Sequence, residues 1–422
     1  MGVAEGFVDR LVAGEWGRCV AGFDDAMTAA LPEEKLHAVW AALQAQAGPF
    51  VRRHGSRLEP RPPNRVVRVT CEFQKSWFDV SLTFDGADRV SGLFFLPARG
   101  PGQQFPPYVN QETFTEEEVE FGDPKWRLPG TLTRPRGDRP CPAVVLVHGS
   151  GPNDRDETVG ANKPFRDLAW GLATRGIAVL RYDKRTRVHA AKLAAAGLAG
   201  FTVRQEVIDD VGHALTFLRG RPEIDVSRLF VVGHSLGGTL APRIVRDRAG
   251  WAGLAILAGA TRPLPDVMVE QFEYLARMDG SVSAEEQAQI DEVKVLAVRI
   301  RDLTPDDAGS AAVLLGAAPA YWLDLRGYDA PTVAAGLDQP ILILQGGRDY
   351  QVTEADLVNW RRKLEGRPHV RIKRYPALNH LFIAGSGPSG PAEYLTPGFV
   401  ADEVVDDLAR LLVLAEGDSR TQ

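Results

Sequence analysis

From about residue 117 to 415, short apolar runs alternate with amphipathic stretches, and this alternation constrains the fold more than any other feature of the chain. The runs are PAVVLVHG (142–149), IAVLRYD (177–183), LFVVGHS (229–235), GLAILAG (253–259), PILILQGG (340–347) and VRIKRYP (370–376). Most are continuous and rich in β-branched residues, as expected of parallel strands buried on both faces. Between them, FRDLAWGLATRG (165–176), about 204–219, LGGTLAPRIVRD (236–247), 354–364 and 399–415 have helical character. Strand–helix alternation implies right-handed crossovers and an α/β sheet that is mostly parallel and flanked by helices. Residues 117–122 and 126–134 are expected to add two opening strands.

A chain of 422 residues is longer than such a sheet needs, so the surplus has to be placed. Residues 1 to about 54 read as helical, with Phe7, Leu11 and Val12, then Leu36, Val39, Trp40 and Leu43, at helical spacing. From Asn64 the period becomes two. NRVVRVTCEF, WFDVSLTF and, after a DGAD turn, RVSGLFFLP form a predicted antiparallel meander. Helices followed by a meander make a small α+β domain over 1–108, ending in the linker ARGPGQQFPPYVNQ. A second surplus, 262–335, interrupts the alternation inside the core (109–261 and 336–422). Val269, Phe272, Leu275 and Met278, then Leu296, Val298 and Ile300, recur at helical spacing there. They predict a helical cap, with these residues packing on the core, lining a pocket, or both.

Charge and cysteine use exclude several functions. With 49 basic and 55 acidic residues the net charge is −6, which disfavours a nucleic-acid or anionic-membrane surface. No run of about 18 apolar residues occurs, and the acidic, Trp-containing start MGVAEGFVDRLVAGEWGRC lacks the form of a secretory signal, so a cytoplasmic setting is expected. Cys19, Cys71 and Cys141 are isolated and odd in number, and no His/Cys pair has zinc spacing. Neither a metal nor an organic cofactor is expected.

The chemistry points to Gly233-His234-Ser235-Leu236-Gly237, a G-x-S-x-G placed between an apolar strand and a helix opening. That context fits a nucleophile elbow, whose strained turn leaves no room for side chains two residues either side of the serine. A plain glycine-rich turn with a bystander serine is the bland alternative. A serine needs a base, and the base an orienting carboxylate, in the chain order Ser, acid, His. Asp349, in GGRDYQV, and His380, in YPALNHLF, each follow a predicted strand's C-terminal end, the edge that faces the ligand crevice. Asp349 could instead cap the helix starting near Thr353, and a loop histidine is often a surface residue. The oxyanion hole should use the Leu236 N–H and a second from His148-Gly149-Ser150-Gly151-Pro152, with Ser150 or Gly149 as donor. Asn153, Asp154, Arg155 and Asp156 read as a mutually paired network that orders this loop. SGPSGPAEYLTPG, after His380, fits either a mobile lip or an ordered brace.

HGSGPNDRDETVGANKPFRDLAWGLATRGIAVLRYDKRT, GHSLGG, GGRDYQV and LNHLF together resemble the α/β-hydrolase superfamily over about 115–417. The resemblance is to bacterial serine esterases of the dienelactone-hydrolase-like branch, some of which carry a small α+β domain ahead of the hydrolase. It implies a carboxylesterase with Ser235, Asp349 and His380 as triad and an oxyanion hole near Ser150 and Leu236. The expected substrate is a small or medium ester. Acyl transfer, cyclisation or elimination of an acyl group from a natural-product intermediate is the alternative use of the same machinery. A peptidase or a non-catalytic binding protein fits less well. The N-terminal domain is a candidate partner or homodimer contact.

Overall fold

The computed structural model describes residues 2–61, 64–98, 100 and 105–414. Most of the linker's Gly/Gln-rich stretch and the last residues of the chain lie outside them. The chain divides into two compact units. One comprises Met1–Phe105 with Val159–Asn162 and Pro391–Gly398, and the other Pro106–Thr158, Lys163–Gly390 and Phe399–Gln422.

In the first unit, helices Gly2–Ala13 and Glu33–Ala47 lead into a four-stranded antiparallel sheet of β1 (Phe50–Arg61), β2 (Asn64–Phe73), β3 (Trp77–Phe84) and β4 (Val90–Ala98). Phe7, Leu11, Leu36 and Trp40 on one side meet Val67, Val69, Val80 and Leu82 on the other in one buried cluster. Val12 and Val39, although at helical spacing, are exposed. The helical region stops at Ala47, short of the expected residue 54, and the sheet holds one strand more than the three that the alternation predicts. β1, with FVRRHGSRLEPR, is a fourth. Charged residues on an edge strand blunt edge-to-edge pairing, and they also erase the apolar alternation by which a strand is recognised.

The second unit is an eight-stranded sheet of β5 (Phe114–Phe121), β6 (Leu128–Pro135), β7 (Cys141–Val147), β8 (Ala178–Tyr182), β9 (Ile224–His234), β10 (Gly253–Leu257), β11 (Ile341–Gly346) and β12 (Val370–Tyr375). Their spatial order is β12-β11-β10-β9-β7-β8-β6-β5. The pairs β5–β6 and β6–β8 are antiparallel, and the remaining pairs are parallel. Strands β7, β8, β10, β11 and the second half of β9 (229–234) are buried almost throughout, with core clusters on both faces, which is why these stretches read as mostly apolar runs.

The chain leaves β7 for β8 on one side and returns to β9 on the other. The C-terminal ends of β7 and β9 therefore lie side by side, with Val147 opposite Gly233. A crevice at such a reversal of strand order is where open α/β sheets place ligands.

Between β10 and β11 come helices Leu264–Ala276, Ala284–Asp302, Pro319–Arg326 and Ala330–Ala335. The residues at helical spacing divide between core and surface, with Ile300 in the main core cluster and Leu296 packed against it. Val267, Ile290, Val293, Ala297 and Ile300 are buried, whereas Phe272, Met278 and Val298 are exposed. Ile300, Tyr321 and Trp322 join the main core cluster, so part of this insertion is core. No helix among the described residues is long and apolar enough to cross a membrane.

Candidate active site

β9 ends at His234 and a helix begins at Leu236, leaving Ser235 alone to turn the chain. Its backbone takes φ 52° and ψ −117°, a region that costs a non-glycine residue about 1–3 kcal/mol. Two backbone bonds hold the turn: Ser235 N–H donates to Leu257 O (2.9 Å) and Thr239 N–H donates to Ser235 O (2.9 Å). Gly233 and Gly237 are required by space. A Cβ on Gly233 would overlap the Gly237 carbonyl, and one on Gly237 would overlap the Val147 carbonyl and lie 2.7 Å from His148 O. Ser235 is only half-buried, so its hydroxyl is open to a substrate.

Asp349 and His380, 31 residues apart, meet past the ends of β11 and β12 with His380 Nδ1 2.7 Å from Asp349 Oδ2. Oδ2 also accepts from Gln345 Nε2 (3.1 Å), and Oδ1 accepts the Gln351 and Val352 N–H groups at 2.8 and 3.0 Å. These bonds turn the loop ahead of helix Glu354–Leu364. That helix has Thr353, not Asp349, at its N-cap. With Nδ1 on a carboxylate, the neutral ring carries its proton there and leaves Nε2 as the acceptor. No hydrogen bond joins Ser235 Oγ to His380 among the described residues. Such bonds are commonly loose in a free enzyme and tighten when substrate is bound.

The loop after β7 lies against the nucleophile position, since a Cβ on Gly149 would be 3.1 Å from Ser235 Cβ. Of its two candidate oxyanion donors, Gly149 is already committed, because its N–H donates to Glu157 Oε1 (2.6 Å). The Ser150 and Leu236 N–H groups have no partner among the described residues. Leu236 opens its helix, where the first amides lack intrahelical acceptors and the dipole favours negative charge. Of the two, Ser150 is therefore the one whose amide is uncommitted.

Glu157 and His234 form a buried pair directly behind this arrangement. His234 Nδ1 lies 2.9 Å from Glu157 Oε2, and Nε2 lies 2.9 Å from the His380 carbonyl oxygen. Nε2 has its hydrogen-bond acceptor in that carbonyl, and Nδ1 lies within ion-pair range of the carboxylate without hydrogen-bond alignment, so the carboxylate favours charge on the ring. Burial works against that charge, but the Glu157 carboxylate outweighs it and the His234 pKa is raised. Burial likewise opposes charge on Glu157, and His234 outweighs it to leave the Glu157 pKa lowered. His148, by contrast, is pushed down to about 4 chiefly by burial, so it stays neutral.

The directions of these shifts set a pH window. The raised His234 value gives stability that is full below its ordinary 6.5 and fades as pH rises through the folded value. The lowered Glu157 value gives stability that is full above its ordinary 4.5 and fades as pH falls through the folded value. Glu157→Gln should therefore lower stability by up to about 3 kcal/mol, most strongly at about pH 4.5–6.5, with the deficit shrinking toward alkaline pH. Unfolding midpoints of both proteins across pH 4–9 measure this. A deficit that does not vary with pH would show that the pair carries no charge.

The polar residues after Ser150 do not pair among themselves as expected. Arg155 bonds Asp183 and Glu118, Asp156 pairs with Arg181 and Lys163, and Asn153 Nδ2 donates to the carbonyls of Gly149 and Ser150. The loop is thus tied outward to β5 and β8 by charge pairs. After His380, Asn162 Nδ2 donates to Tyr394 O (3.0 Å) and Oδ1 accepts from Gly398 N–H (2.7 Å), which makes that segment an ordered brace. Glu157, Lys184, Glu206 and Tyr321 were not singled out by the sequence reading. The first two fall within the long stretch that carries the family resemblance, which was the available signal. Among the described residues no group of three or more His, Cys, Asp or Glu is placed to hold a metal ion.

Residues 138–386 match the family described as serine aminopeptidase, S33, and residues 4–93 match a family described as a protein of unknown function (DUF3887). Esterase EstD of Thermotoga maritima is 38% identical over 407 residues, covering 96% of this chain and 94% of that protein. Among solved structures, 2,6-dihydroxy-pseudo-oxynicotine hydrolase is 17% identical at TM-score 0.43, covering 71% of this chain and 68% of its own. An esterase of Pyrococcus furiosus is 15% identical at TM-score 0.43, covering 68% and 89%. The chain belongs to the S33 family of α/β-hydrolases and is a serine hydrolase.

Proposed function

We propose that this protein hydrolyses a small or medium carboxylic ester through an acyl-enzyme on Ser235, with His380 as base and Asp349 orienting it. The observation that carries the reading is the half-buried Ser235 on a strained turn, on the sheet edge where the buried Asp349–His380 pair also lies. His380 Nε2 takes the hydroxyl proton as Oγ attacks the carbonyl carbon, and the carbonyl electron pair moves onto oxygen. The Leu236 and Ser150 amides receive that oxyanion. Collapse expels the alcohol, which takes the proton from His380. Water, activated by the same ring, then releases the acid. The similarity to an esterase over nearly the whole chain supports an ester over a peptide substrate.

Two measurements test the reading together. A fluorophosphonate should add once, on Ser235, and Ser235→Ala should take no label. Turnover of a short p-nitrophenyl ester in ¹⁸O-water should place one solvent oxygen in the acid. A label elsewhere would overturn the nucleophile. A labelled Ser235 whose acyl product carries no solvent oxygen would instead indicate transfer or elimination.

A further inference from the structure

Lys184 is among the most buried charged residues of the chain, at 1% exposure, just past the C-terminal end of β8. The reaction as proposed above makes no use of it. Its Nζ donates to the Gly149 carbonyl oxygen (2.8 Å) and pairs with Glu206 Oε1 (2.6 Å). Glu206, also buried, sits on a single π-helical turn, Arg204–Ile208, a feature that frequently marks functional sites. Its second oxygen accepts from the Tyr321 hydroxyl (2.7 Å), which comes from the insertion between β10 and β11. Burial, with Glu206 beside it, raises the Tyr321 pKa well above its usual value, so the phenol keeps its proton and stays a donor.

The carbonyl that Lys184 holds belongs to the peptide joining Gly149 to Ser150. In a trans peptide, C=O and N–H point in opposite directions. Fixing the Gly149 oxygen toward the buried ammonium therefore aims the Ser150 N–H away from it, and Ser150 itself is exposed. Asn153 Nδ2 donates to the same oxygen (3.2 Å), and Glu157 holds the Gly149 N–H, so the residue is fixed at both ends. A charged donor on the oxygen also polarises the peptide and strengthens its N–H as a donor.

We infer that Lys184, set by Glu206 and Tyr321, is a positioning residue that orients and polarises the Ser150 amide of the oxyanion hole. The inference rests on the reading of Ser235 as nucleophile and of this loop as oxyanion donor. An aryl trifluoromethyl ketone probes both. Its carbonyl carbon bonds to Ser235 Oγ, the hydroxyl proton passes to His380, and the resulting oxyanion sits in the hole.

Lys184→Met should lower kcat on a short p-nitrophenyl ester about 10²-fold with KM within about threefold, and weaken the ketone by a similar factor. The pH midpoint of kcat/KM should not move, because the base is a different residue. Tyr321→Phe, which removes one hydrogen bond and keeps the ring, should shift kcat and ketone affinity the same way by about threefold to tenfold. It decides the matter if Lys184→Met fails to fold. Wild-type kcat and ketone affinity in Tyr321→Phe and in folded Lys184→Met, or a loss confined to KM, would overturn the inference. Failure of the wild-type protein to form the ketone adduct on Ser235 would overturn the underlying reading instead.

Discussion

Asp349→Asn is expected to lower kcat/KM for an ester about 10⁴-fold at neutral pH while leaving the fold in place. The size of the loss follows from how the carboxylate is held. Oδ1 accepts two backbone N–H groups, from Gln351 and Val352, so the oxygen of an asparagine is drawn to that position. The amide nitrogen then takes the place of Oδ2, 2.7 Å from His380 Nδ1. An N–H donor there forces Nδ1 to become the acceptor and moves the ring proton to Nε2. A ring protonated at Nε2 cannot take the proton of Ser235. The new N–H₂ also faces Gln345 Nε2, itself a donor, which adds a local cost without opening a cavity. Fluorophosphonate labelling of Ser235 should slow in parallel, since it needs the same base. Steady-state kinetics within tenfold of wild type, in a protein with an unchanged unfolding midpoint, would sink the assignment of Asp349.

Where the sequence was legible, one local signal was enough. The runs in β7 to β11 read as strands because both of their faces are buried, so each is mostly apolar. Ser235 and Asp349 stood out because each lies just past such a run, His380 because it follows the alternating VRIKRY strand, and their chain order is the one this fold uses. β1 was missed because its charged residues conceal the alternation, and in the insertion spacing alone left open which apolar residues pack on the core and which stay exposed. The supporting polar residues were illegible for a different reason. Tyr321 meets Glu206 across 115 residues of chain, and Asn162 meets Tyr394 across 232. Nothing local marks a buried glutamate or lysine whose partner is that distant. The Gly149 amide shows the same limit, because sequence can nominate a donor without showing that Glu157 already holds it.

Gly237→Ala should be among the most damaging one-carbon changes in the hydrolase unit. The residue has the backbone of an ordinary first helical turn, so its need for glycine comes from contact and not from φ. A Cβ there would overlap the Val147 carbonyl oxygen and lie 2.7 Å from His148 O. They are backbone atoms of the last residue of β7 and the residue after it, and neither can swing aside as a flexible side chain could. Relief requires the helix that follows Ser235 to move off β7, and that shift would carry the Leu236 amide and Ser235 away from the loop bearing Ser150. Overpacking of this kind costs about 3 kcal/mol or more where the neighbour is rigid. We therefore expect a lower unfolding midpoint for the hydrolase unit and loss of most turnover, with fluorophosphonate labelling reduced as well. Gly327→Ala supplies the control: its φ is −79° and a Cβ there meets nothing within 4 Å, so its stability and activity should match wild type. If Gly237→Ala unfolds at the wild-type midpoint and keeps its turnover, the close approach of that helix to β7 is not what sets the nucleophile's position.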